Sequence, residues 1–185
     1  MDENKALAEL LFPNVTQTPA DLEKLFPPRQ LEEGARVTRF APSPTGFLHI
    51  GGLFAALISK LNAQMTNGVF MLRIEDTDKK REIEDGVSEI IKGLKAFGVT
   101  PDEGVMGFNE EQGDYGPYTQ SKRANIYHIV AKSLVEKGFA YPCFCSEDEL
   151  SSLREEQEKE GALIKGYFGK WAKCRNLSFE KQKKL

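Results

Sequence analysis

The densest chemistry in the chain is the string Arg39-Phe-Ala-Pro-Ser-Pro-Thr-Gly-Phe-Leu-His49-Ile-Gly-Gly52. Two prolines hold its middle extended, Gly46 permits a turn, and Gly51-Gly52 clear side chains from the start of a helix. Free N–H groups and the positive dipole end at such a helix tip favour an anion, above all a phosphate. His49 adds a side-chain donor for charge developing on phosphorus. A Gly/Pro-rich turn with a half-buried histidine uses the same residue types, so the string taken alone leaves both readings open. The second group is Arg73-Ile-Glu75-Asp76-Thr77-Asp78. Here Glu75 could take a substrate ammonium, while Asp76 or Asp78 could cap a following helix. Three cysteines, Cys143, Cys145 and Cys174, are an odd number for a chain of 185 residues. That favours thiols or a metal site over a disulfide framework.

Hydrophobic spacing supplies the elements that must position these groups. Residues 37–41 predict a strand, and residues 53–65 have the three-and-four apolar spacing of a helix that Asn67-Gly68 stops. Residues 69–74 predict a second, buried strand. Residues 82–97 predict a helix with Ile83, Val87, Ile90, Ile91 and Leu94 on one face, closed by Gly98 and Pro101. Strand, loop, helix, strand, helix opens a parallel sheet with right-handed crossovers, and groups at the carboxyl ends of such strands point into a ligand crevice. Gly104, Gly107, Gly113 and Gly116 predict a loop, and residues 121–137 a helix ended by Gly138. A strand is expected over 140–145, then a polar helix through residue 158, opened by the capping box of Ser146 and Glu149. Ser178 could cap one more helix, and near the N-terminus Thr18-Pro19-Ala20-Asp21 predicts a short one that Pro27-Pro28 ends.

A net charge of −3 argues against a general polyanion binder, but the charge is uneven. Residues 161–185 carry seven basic side chains against one acidic, and residues 1–35 carry three against seven. A locally basic end can bind a polyanion where it touches it, although a solvated lysine-rich helix has the same composition. No apolar run approaches the ~20 residues of a membrane helix. The first residues also lack the basic-then-apolar order of a signal peptide, so the expectation is a cytoplasmic protein without a membrane segment.

The string at 39–52 resembles the signature of class I glutamyl-tRNA synthetases, with His49-Ile50-Gly51-Gly52 standing for the class motif His-Ile-Gly-His. Glycine in the last place is a substitution this subgroup tolerates, and it removes one of two phosphate-facing histidines. Residues 73–78 and Gly116-Pro117-Tyr118-Thr119-Gln120-Ser121-Lys122-Arg123 are similar to two further motifs of that family, in the same order. The resemblance implies an α/β fold: the first half of a Rossmann-type parallel-sheet catalytic domain, followed by the start of an α+β connective insertion. Residues 1–35 would be an N-terminal extension, 36–118 the nucleotide-binding half-domain and 119–185 a truncated tRNA acceptor-binding insertion. His49, Gly51 and Gly52 would bind ATP with Mg2+, His49 being catalytic. Arg39, Ala41, Ser43 and Glu75 would line the glutamate pocket, where the planar fork of Arg39 suits a carboxylate.

The same resemblance implies tRNA(Glu) on the basic segment after Lys165, with Gln120 and Arg123 as further contacts. Cys143, Cys145 and Cys174 look like three thiolates of a zinc knuckle. The places where the family supplies a fourth ligand hold Lys170 and Asn176. That leaves Tyr167, which reaches the cluster only if its loop bulges, or else three reduced cysteines without metal. The family's second nucleotide motif does not occur before Leu185, so the expectation is an N-terminal piece with little activity of its own. Two alternatives stay open: a glutamyl-queuosine tRNA(Asp) synthetase, and a non-catalytic RNA- or nucleotide-binding module of the same fold.

Overall fold

From the N-terminus the chain forms α1 (Glu3–Leu11), α2 (Pro19–Leu25), β1 (Val37–Phe40), α3 (Ile50–Gln64), β2 (Val69–Leu72) and α4 (Gly86–Ala96). There follow β3 (Glu103–Gly107), β4 (Glu110–Gln112), α5 (Ala124–Glu136), α6 (Glu147–Lys159) and α7 (Phe179–Gln182). The computed structural model describes residues 2–46 and 48–184, so Met1, Phe47 and Leu185 lie outside the described residues. The chain divides into two units, Pro19–Tyr127 and Met1–Thr18 with His128–Leu185.

In the unit Pro19–Tyr127 the strands form one sheet in the order β1-β2-β3-β4. β1, β2 and β3 run parallel, with Arg39 opposite Met71, and β4 returns antiparallel. Alternation along β2 turns Phe70, Leu72 and, just beyond it, Ile74 to one face, where all three are fully buried. Each such burial contributes about 1.5–3 kcal/mol. On that face Thr38 donates to the Ser59 carbonyl of α3 at 2.8 Å. Leu48 is wedged between the two crossover helices: a Cβ on Gly52 or on Gly93 would stand 3.1 Å from its methyl groups. Both helices therefore cover the same face, as two right-handed steps taken in one direction require.

The fold agrees with the α/β expectation and departs from it in detail. The region of Gly104 and Gly107 is not a loop but the strand β3. Gly104 has φ +123, and a Cβ there would lie 2.1 Å from the Leu72 carbonyl oxygen, so this glycine permits strand pairing. The strand expected over 140–145 does not form, and that segment joins no ladder among the described residues. α4 starts at Gly86 instead of residue 82, because Asp85 takes a left-handed φ of 61. A 3-10 turn, Gln120–Arg123, precedes α5. α1 was not foreseen; Asp2 caps it by accepting from the Asn4 amide at 3.1 Å.

In the other unit Leu7 and Ala8 of α1 pack on Val135 of α5, with Leu11, Phe12, Ala140 and Phe179 around them. The buried Lys132 pairs with Glu9 at 2.9 Å and donates to the Val15 carbonyl at 2.7 Å. The expected extension 1–35 is thus shared, with α1 in this unit and α2 in the sheet unit. After α2, Arg29 forms a bidentate pair with Glu103 of β3 and lies 3.8 Å above the Tyr115 ring. The capping box of α6 is present, Ser146 with Glu149. No helix among the described residues is long and apolar enough to cross a membrane.

Candidate functional site

His49 stands at the N-cap of α3 with an extended backbone, and its Nδ1 accepts from the Gly51 amide at 3.1 Å. With Nδ1 an acceptor, the proton of the neutral ring sits on Nε2, which is left to donate outward from an exposed side chain. The Gly51 amide is consumed by this cap. A Cβ on Gly51 would meet the His49 ring at 3.0 Å, so this glycine makes room for the histidine. Beside the tip lies a cleft of about 280 Å³ lined by Phe40, Pro42, Ser43, Thr45, His49 and Gly52, among others. Its floor is the carboxyl end of β1, where a parallel sheet presents its ligand groups.

Arg39, Ala41 and Glu75, also expected from sequence, lie at the same sheet edge but outside the lining of this cleft. Arg39 alternates with Thr38 and Phe40 and so points to the face opposite α3, where it is exposed. Its register partner is Met71. Glu75 continues the alternation of Met71 and Arg73, which puts it on the Arg39 side, next to the loop of Ala41 and Ser43: the Glu75 amide donates to the Pro42 carbonyl at 3.0 Å. Among the described residues neither the Arg39 guanidinium nor the Glu75 carboxylate has a hydrogen-bonding partner, so both are available to a ligand. The structure thus brings Ser43, His49 and Gly52 to one cleft, and Arg39 and Glu75 to the neighbouring face of the same strand ends.

Asp76 turns inward. Burial pushes its pKa up, but the Ser121 hydroxyl at 2.5 Å, the Ser121 amide at 2.8 Å and Lys79 outweigh that and hold the carboxyl below the usual range. Gln120 accepts weakly from the Thr77 hydroxyl at 3.4 Å, and Arg123 donates to the Pro117 carbonyl at 2.6 Å. These two have structural partners. Sequence reasoning passed over Glu111, which sits in no motif, yet both its oxygens are engaged by Tyr118 and Thr119.

In the other unit the Sγ atoms of Cys143, Cys145 and Cys174 lie within 4.8 Å of one another. The loop before Cys174 does bulge, through Gly166 and Gly169 at φ +157 and +54. It brings the Tyr167 hydroxyl to 3.5 Å from Cys145 Sγ, where it also accepts from the Cys174 amide at 3.0 Å. Cys145 and Cys174 Sγ are 3.7 Å apart. Tetrahedral zinc with Zn–S bonds of about 2.3 Å needs sulfurs about 3.8 Å apart, so three thiolates and a phenolic oxygen fit that ion. The Tyr167 hydroxyl and the Phe144 amide hold the Cys174 thiol below its ordinary pKa despite burial, and burial raises that of Tyr167. His128 lies elsewhere, tilted on the Phe12 ring at 5.8 Å.

The basic segment is partly neutralised. Lys165 pairs with Glu158, Lys170 with Glu160 and Lys183 with Glu180, while Arg175 lies 5.5 Å over the Tyr141 ring.

Residues 36–185 match the family model described as tRNA synthetases class I (E and Q), catalytic domain. The glutamate–tRNA ligase of Acetivibrio thermocellus is 53% identical over 181 residues, covering 97% of this chain and 33% of that protein. The glutamate–tRNA ligase of Clostridium perfringens is 52% identical over 174 residues, 94% of this chain and 32% of that protein. Among solved structures, a glutamate tRNA ligase from Elizabethkingia meningosepticum in complex with its amino acid is 37% identical with a TM-score of 0.68, covering 82% of this chain and 30% of that one. The chain therefore spans about a third of the length of the curated relatives it matches.

Proposed function

The chain belongs to the class I tRNA synthetases of the E and Q group, and on that premise we propose that the whole protein is a glutamate–tRNA ligase. The observation that carries this reading is the cleft of Ser43, His49 and Gly52 at the carboxyl end of β1, with Arg39 and Glu75 unpartnered on the adjoining face of the same edge. ATP, bringing Mg2+, lies at the tip of α3. His49 Nε2–H donates to a phosphate oxygen, and the nucleotide lies against the turn of Gly51 and Gly52. Arg39 grips a glutamate carboxylate, Glu75 takes the ammonium, and Ala41 and Ser43 shape the pocket between them.

The substrate's α-carboxylate attacks the α-phosphorus, the bond to pyrophosphate breaks, and glutamyl-adenylate forms. A ribose hydroxyl at the tRNA 3′ end then attacks the acyl carbon and expels AMP. No protein nucleophile is needed, so residues 36–118 work by placement and by stabilising charge. The basic segment after Lys165, with residues 119–185 around it, meets the acceptor arm. Cys143, Cys145, Cys174 and Tyr167 hold a structural zinc that ties residues 140–145 to the 167–174 loop. That ion supplies fold stability and takes no part in the reaction.

The test is pyrophosphate exchange into ATP by the whole protein, with tRNA present. Exchange that depends on glutamate, followed by charging of the tRNA(Glu) 3′ end, is expected. ATP binding without any glutamyl transfer would identify a non-catalytic module instead, and transfer to a modified base of tRNA(Asp) would identify the queuosine-type enzyme.

A further inference from the structure

Glu75 sits between two committed neighbours. On one side Ile74 donates its amide to the Tyr118 carbonyl at 3.0 Å and accepts from the Gln120 amide at 2.8 Å, a parallel bridge opposite Thr119. On the other side Asp76 holds both the amide and the hydroxyl of Ser121. Residues 118–121 therefore act as one more piece of strand, laid along the end of β2 where the sheet itself has stopped. What holds that piece is Glu111 of β4: its Oε2 accepts from the Tyr118 amide at 3.0 Å and its Oε1 from the Thr119 hydroxyl at 2.8 Å. Lys122 stands 3.7 Å from the same carboxylate.

We propose that Glu111 is a positioning residue for Glu75, acting through the 118–121 segment, and that it sets affinity for the amino-acid substrate without touching it. The inference rests on the reading of Glu75 as the ammonium partner. Glu75 itself keeps one backbone bond, its amide to the Pro42 carbonyl at 3.0 Å, so among the described residues its other side is fixed only through Ile74 and Asp76, and a displacement near 1 Å at such a group costs about 100-fold. Half-buried Glu111 holds the segment with both oxygens, and a glutamine in its place keeps the shape but has a single acceptor oxygen, so either the Tyr118 amide or the Thr119 hydroxyl loses its acceptor, and the charge is lost as well.

The experiment compares Glu111→Gln with the wild-type whole protein and with Glu110→Gln, an exposed acid on the same strand. Hydrogen exchange of peptides covering residues 73–77 and 118–122 is followed by mass spectrometry, and KM values are measured for glutamate and for ATP. In Glu111→Gln both peptides are expected to exchange about 10-fold faster or more, and the glutamate KM to rise about 10-fold while the ATP KM stays within about twofold. Glu110→Gln is expected to match the wild type. Unchanged exchange, faster exchange with an unchanged glutamate KM, equal losses for both substrates, or the same behaviour in Glu110→Gln would each overturn the proposal. A wild-type protein with no glutamate-dependent reaction would overturn the functional reading instead, whereas the exchange arm needs no substrate and still decides whether Glu111 braces the strand end.

Discussion

Replacing His49 separates the capping of α3 from the phosphate contact proposed for the same imidazole. Its Nδ1 caps α3 through the Gly51 amide at 3.1 Å, and its Nε2–H is free for a phosphate. His49→Ala removes both. Loss of an N-cap costs about 1 kcal/mol, which for a chain of this length lowers Tm by roughly 2–4 °C. Loss of a donor aimed at charge on phosphorus costs about 100- to 1,000-fold in rate. His49→Asn separates the two, because asparagine is among the best N-cap residues but too short to reach outward from the cap. The expected pattern is a lowered Tm and a crippled exchange rate in His49→Ala, and a near-normal Tm with an equally crippled rate in His49→Asn. Thermal melts and glutamate-dependent pyrophosphate exchange read the two quantities. Should His49→Asn exchange pyrophosphate at close to the wild-type rate, the histidine is only a cap and the phosphate role is refuted. Should His49→Ala melt like the wild type, the capping bond contributes nothing.

Two further outcomes follow from geometry already described. Gly98 and Gly104 both have positive φ, but a Cβ at Gly98 meets open space while one at Gly104 collides with the Leu72 backbone. Gly98→Ala should therefore cost about 1–2 kcal/mol in urea unfolding, and Gly104→Ala about 1–3 kcal/mol more; equal costs would mean that β3 does not pack on β2 as described. For the thiol cluster, atomic absorption should find one zinc per wild-type chain, no retained zinc in Cys174→Ser and weakened retention in Tyr167→Phe. A wild-type protein that is metal-free and melts identically with and without chelator would remove the metal site.

What was legible in the sequence was whatever rests on local periodicity. The spacing before Asn67-Gly68 gave α3, and Ser146 with Glu149 announced α6 by reciprocal capping, an arrangement complete within four residues. Long-range pairing was not legible. Gly104 looks like a loop residue because its value lies in a backbone 32 positions away, at Leu72. Residues 140–145 carry strand-forming types, but their fixed partners are a thiol and a hydroxyl on the 167–174 loop, which no alternation pattern encodes. The site divides in the same way. His49 and Glu75, the residues proposed for the site, stand out in the sequence by type and place, whereas Glu111 makes two hydrogen bonds to another segment and leaves no trace in spacing.

Leu48 gears the two crossover helices to each other. Its side chain fills the notches left by Gly52 on one helix and Gly93 on the other, and close packing there leaves no slack to absorb an added methyl. Position 93 belongs to a helix with no ligand group of its own, yet bulk placed there would be levered through Leu48 to the histidine-bearing turn. Anyone redesigning the outer surface of this sheet layer would meet that linkage as a disturbance of the proposed nucleotide site with no altered residue in its lining.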